Sequence, residues 1–167
     1  MILRSLAESD KKIKNRIIEI AEGLFGDIDV EEIGEDVFYA LDGIDVHELW
    51  DSSGAKSDGY ISTENMAFEM VEEQLKTYYE ELFRLCDLNM AKESLHYCMG
   101  VLKGIYRYVN ESESEFKEWA TDIPEECFGY LIGEWEKRCK RKCQVKEMKL
   151  FIRKECHKWS EWANKML

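Results

Sequence analysis

Proline occurs once in these 167 residues, at Pro124. No apolar run approaches the roughly 18 residues that a membrane-spanning helix needs. With one proline and ten glycines among abundant Glu, Lys, Leu and Met, the composition favours helix over sheet. Histidine is also scarce, with only His47, His96 and His157. There is no Gly-x-Ser-x-Gly elbow, no phosphate-binding loop and no dinucleotide fingerprint. These absences set aside the commonest nucleophilic and nucleotide-dependent enzymes. The first residues lack the apolar core of a secretory signal. The six cysteines are therefore expected as thiols in a reducing compartment, and the location expected is cytoplasmic.

Charge is what the chain has in excess, and it is unevenly placed. Residues 137–167 hold eleven Lys/Arg against three acids, a net of +8. The preceding 136 residues hold 12 basic and 32 acidic side chains, a net of −20, giving −12 overall. Phosphates repel an acidic surface, so most of the molecule is excluded as a nucleic-acid contact. Only the C-terminal segment escapes that exclusion.

Apolar spacing marks a series of amphipathic helices. Ile13, Ile17, Ile20, Ala21 and Leu24 predict a helix over 10–24, with Gly26 as its stop. Asp29 reads as the cap of a short helix that buries Ile33, Val37 and Leu41 and ends at Gly43. Asp45 with Glu48 suggests a further cap leading into Leu49 and Trp50. Residues 51–60 form the clearest loop, and 110–115 an acidic connector. Ser62 opens the strongest helix, with Phe68, Val71, Leu75, Tyr78, Leu82 and Leu85 in one stripe. After a three-residue break, with Asn89 as the expected N-cap, Ala91, Leu95, Cys98, Leu102, Ile105 and Val109 repeat the spacing. Two such stripes predict an antiparallel αα-hairpin. Gly100 and Gly104, four residues apart, suggest a face where another helix backbone comes close.

Leu75, Tyr78, Leu82, Ala91 and Leu95 fall at the spacing of a tetratricopeptide unit, which this hairpin resembles over about thirty residues. Tyr79 stands where that pattern has a small residue, Lys103 stands where it has proline, and no second copy follows. The segment is therefore read as an αα-hairpin and not as a member of that family.

Asp122 and Pro124 start a further helix lined by Phe128, Ile132, Trp135 and Cys139. A second stripe, Val145, Met148, Ile152, Cys156, Trp159 and Ala163, lies about 120° out of phase with it. A bend or turn near 140–144 is expected. The whole reads as all-α, a helical bundle of about six or seven helices built on antiparallel αα-hairpins. Residues 1–58 form an N-terminal unit of short helices. Residues 59–167 form the hairpin bundle with its basic C-terminal helix, and the two together make one compact domain.

Candidate sites are few. Cys139 and Cys143, at i and i+4, are the candidate metal ligands, with Cys156 and His157 as the obvious completers. Zinc needs about four ligands around one point, and thirteen helical residues place Cys156 about 20 Å from Cys143. Asp27, Asp29 and Glu31 imitate the start of a calcium loop, but Glu32 replaces its glycine and Phe38 its bidentate Glu. Glu93-x-x-His96 matches half of a di-iron carboxylate motif, and Glu69-x-x-Glu72 is a helical acid pair of the magnesium-holding kind. No cofactor is expected. Lys142, Lys146, Lys149 and Arg153 follow at steps of four, three and four on one helical face. They are the candidate contact for a protein partner or a nucleic acid. The reading that follows is a non-catalytic protein-interaction module that self-associates. Its competitors are a nucleic-acid-associated protein using the basic helix, and a metal-binding protein or metal-dependent hydrolase.

Overall fold

The computed structural model describes residue 13 and residues 28–56, 59–138 and 142–167. Apart from Ile13, the helix expected over 10–24 lies outside the described residues, as do Gly26, Asp27, Cys139 and the side chain of Lys142. Asp29 accepts from the Glu31 N–H at 2.8 Å and starts α1 (Val30–Asp42). Asp45 accepts from the His47 N–H at 2.8 Å and starts α2 (Val46–Ser52). Ser62 Oγ accepts from the Asn65 N–H at 3.1 Å and starts α3 (Thr63–Asp87). Each satisfies a donor that the first helical turn leaves without an intrahelical partner. Then follow α4 (Ala91–Glu111), α5 (Ile123–Arg138), α6 (Lys142–Glu155) and α7 (Ser160–Met166). The architecture is the all-α helical bundle.

Asn89 departs from its expected role. Its φ of 59° is left-handed, and it ends α3 instead of capping α4. Its N–H donates to Cys86 O at 2.9 Å and the next N–H, of Met90, to Leu85 O at 3.1 Å. That crossed pair is a Schellman ending, and buried Leu85 and Met90 supply its apolar contact. Asparagine is among the few residues that tolerate this conformation.

The polar stretch 51–60 also differs from a plain loop. Gly54–Lys56 (β1) and Gly59–Ile61 (β2) pair antiparallel, Ala55 facing Tyr60. Gly54 and Gly59 have φ of 95° and 141°, which side-chain-bearing residues rarely adopt. Strands of three residues with no apolar alternation leave no periodic signal.

The core is one cluster, running from Val37 and Leu41 of α1 through α3, α4 and α5 to Ala163 of α7. At its centre lies α4, buried on nearly all sides from Leu95 to Tyr108. The Gly100/Gly104 face is where α1 docks. A Cβ on Gly104 would sit 2.5 Å from Val37 Cβ and 2.6 Å from the Gly34 carbonyl oxygen, and one on Gly100 2.6 Å from Ile33 Cβ. Hydrogen is the only substituent these positions admit without moving α1.

On α3 the buried residues are Ala67, Val71, Leu75, Tyr79, Leu82 and Leu85. Tyr79, not Tyr78, is the tyrosine in the core, and Phe68 is exposed. The cause is the position of α3 between α4 and α5. Tyr79 turns toward α5, 5.6 Å from the Tyr130 ring, so the buried stripe drifts from the single-partner phase. The second C-terminal stripe stands as expected, with Met148, Ile152, Cys156, Trp159 and Ala163 buried. It is broken, however, between α6 and α7. The Trp159 and Ser160 N–H groups bond back three residues instead of four. The Lys158 N–H freed there donates to Tyr106 Oη at 3.3 Å. Trp159 then stacks edgewise on Tyr106 and Phe128, at 5.3 and 4.9 Å. The stripe's three- and four-residue steps continue across the turn, so sequence spacing alone does not reveal it.

Candidate interaction face on the basic helix

α6 is held along its length by α4. At its start, Gln144 donates through Nε2 to the Ala91 carbonyl. At its end, Glu155 accepts from Lys103 Nζ at 2.8 Å. Residues 91 and 103 meet 144 and 155 in that order, so the two helices run parallel. Met148 and Ile152, fully buried, fill the space between these anchors. Lys103 also reaches Glu31 of α1, at 2.6 Å, so one ammonium links three helices. Burial works against its charge, but hydrogen bonds to Glu155 and Glu31 outweigh that and raise its pKa. The same bond from Lys103, with a second from Lys154, holds Glu155 below the usual carboxylate range.

The charge reversal at residue 137 is partly neutralised within the molecule. Lys137 and Arg138 pair with Glu134, at 2.6 and 3.4 Å. Arg138 also approaches Asp87 at 3.7 Å and lies over the Phe83 ring at 4.3 Å. Lys154 meets Glu155, Lys165 meets Glu161, and Lys158 donates to Asn110. Lys146 and Arg153 remain, exposed and without an acidic partner among the described residues. Lys149 is half-buried at the edge of the packed side. Between Lys146 and Arg153 two side chains are exposed, Glu147 and Leu150, the latter 64% exposed. The face left open is thus an apolar centre with Lys146 and Arg153 along one side and Glu147 on the other.

The other sequence candidates are placed as follows. Cys143 is exposed in the first turn of α6 and Cys156 is buried beyond its far end, so the helix keeps them apart. Burial, then Glu155, pushes the Cys156 thiol up to about 12. His157 Nδ1 lies 3.3 Å from Tyr106 Oη, and Cys139 is outside the described residues. Glu93 is buried with Oε2 unbonded, beside a half-buried His96. Asp29 and Glu31 are occupied as cap and first-turn acid of α1. Among the described residues, no group of three or more His, Cys, Asp or Glu is placed to hold a metal ion. No described helix is long and apolar enough to cross a membrane.

Leu150 was not among the sequence candidates. Its signal is phase: it sits two residues from both Met148 and Ile152, about 200° around the helix from each, so a helix packed on one side through those two turns Leu150 outward. No protein-family model matches the chain, and no curated protein or solved structure matches it either.

Proposed function

We propose that this protein is a non-catalytic interaction module that self-associates through the outward face of α6. The observation that carries this is Leu150, 64% exposed between Lys146 and Arg153, on a molecule of net charge −12. An exposed apolar side chain with two unpaired cations along one side, outnumbering the single Glu147, fits a protein surface with an apolar hollow and acidic edges. Charge complementarity then sets orientation and association rate and supplies the salt-sensitive part of the affinity, to which burial of the leucine adds. The same reading places the protein in the cytoplasm.

Light scattering at about 50 mM and about 500 mM salt tests the proposal, because surface charge pairs are screened at the higher concentration. The expected result is a mass above that of one chain at low salt and a fall toward it at high salt. A single chain in both conditions contradicts it. The competing nucleic-acid reading draws on the spacing of Lys142, Lys146, Lys149 and Arg153. An apolar residue at the centre of the face weighs against phosphate tracking, which needs cations there. Salt-sensitive binding to duplex DNA, single-stranded DNA or RNA would favour it, and no binding at low salt would remove it.

A further inference from the structure

α3 carries an open groove of about 530 Å³ on its outward side. Its floor is aromatic, formed by Tyr79 and Phe83, and Glu69, Glu72, Glu73 and Glu80 stand around it. Among the described lining residues Lys76 is the one cation, in an exposed pair with Glu73 at 3.5 Å, and Arg138 of α5 lies over the Phe83 ring. Glu69, Glu72 and Glu80 have no ion-pair partner among the described residues. Four carboxylates without a common focus do not build a cation site, in keeping with the lack of any metal-holding group among the described residues. They do build a rim.

The groove and the face of α6 are complementary in three respects. Apolar meets apolar, since a hollow floored by two aromatic rings is several times the volume of one leucine side chain. Acid meets base. The intervals agree as well: Lys146 and Arg153 are seven residues apart, as are Glu73 and Glu80, so each pair spans about 10.5 Å along its helix. Two helices lying side by side therefore bring both charges into register at once. The exposed Glu73–Lys76 pair is of a kind that contributes little, so exchanging it costs little.

We propose that the groove on α3 receives α6 of a second copy of this chain, with Leu150 seated against Tyr79 and Phe83 and with Lys146 and Arg153 facing the glutamate rim. This rests on the self-association reading and adds the receiving surface to it. Donor and acceptor faces lie on different helices, so each molecule carries one of each, and a molecule with one face destroyed still offers the other.

Two charge-reversed variants test the contact, Lys146→Glu/Arg153→Glu and Glu73→Lys/Glu80→Lys. All four side chains are exposed or at the rim, and circular dichroism checks that both variants fold. The expected result at low salt is that each variant alone associates at least roughly tenfold more weakly than wild type, while an equimolar mixture forms a one-to-one complex. In the mixture the intact groove of one meets the intact helix of the other, and the reversed helix and reversed groove are complementary in turn, so association returns with the two variants in equal number. The variant carrying all four substitutions should regain self-association. Should either double variant fail to fold, Leu150→Ser alone must weaken association by a similar factor. If wild type associates but the groove variant keeps its strength, the self-association reading stands and this contact is wrong. A wild type that is monomeric at low salt overturns both. A monomeric wild type that binds a Lys-rich helical peptide through the groove assigns it to a foreign partner and overturns the second copy.

Discussion

At Gly104 one methyl group decides whether α1 can dock. By helix propensity alone, Gly104→Ala would stabilise the interior of α4 by about 1 kcal/mol. The added carbon would instead meet Val37 Cβ and the Gly34 carbonyl at 2.5 and 2.6 Å, and the second is backbone that cannot rotate away. We expect Gly104→Ala to cost about 1–3 kcal/mol in chemical denaturation, the range for forced overpacking. Gly133 is the matched control. Its added carbon meets only Met166 Cε at 3.9 Å, so Gly133→Ala should be neutral or stabilise by up to about 1 kcal/mol. Equal effects at the two sites would contradict the close-approach account. Lys103 gives a second residue-scale expectation, in pH. Glu155, held below its ordinary 4.5, contributes stability that is complete above that value and lost as pH falls through the depressed one. Lys103, raised above its ordinary 10.5, contributes fully below that value and loses its contribution as pH rises through the raised one. Lys103→Met should therefore cost about 1–3 kcal/mol near neutral pH. Denaturant midpoints for the two proteins should converge as acid protonates Glu155, and a gap independent of pH would contradict this.

Among the elements, legibility follows how local the cause is. The caps at Asp29, Asp45 and Ser62 act within three residues of their own position, and they stand in the structure as the sequence implies. Asn89 was harder because an asparagine between two helices suits both the end of one and the start of the next. Only backbone conformation separates the two roles, and φ of 59° assigns it to the end of α3. Asn89→Gly should accordingly leave stability within a few tenths of a kcal/mol, and Asn89→Ala should cost about 1 kcal/mol. Asn89→Thr separates the two roles, since threonine serves as an N-cap but its branched side chain is unsuited to the left-handed region: a loss of about 1 kcal/mol on melting supports the ending of α3, and no loss contradicts it. The exchange of Tyr78 for Tyr79 has a tertiary cause. A 25-residue helix packed against more than one neighbour has no single buried phase, so its apolar spacing fixes the stripe only to within a residue. The α6–α7 break was hidden for the opposite reason: the turn preserves the phase of the stripe it interrupts.

For the whole molecule, the reversal of charge near residue 137 overstates how much of the C-terminal charge is free. Glu134, Glu155, Glu161 and Asp87 engage Lys137, Arg138, Lys154 and Lys165, half of the described cations of the segment, a matter of neighbours that a count of charges cannot contain. What remains open is about two turns of α6, with Leu150 near their centre. The receiving groove was less legible still. Its glutamates read as the solvated face of any acidic helix until Tyr79 and Phe83 are seen beneath them. Both surfaces bear on one central claim, that copies of this chain associate through α6. Sedimentation equilibrium of the wild-type protein over a range of concentrations at low salt tests it most directly. A mass that climbs from 19.7 kDa as concentration rises, and returns to 19.7 kDa when salt is added, is the predicted result; 19.7 kDa at every concentration in low salt would contradict it.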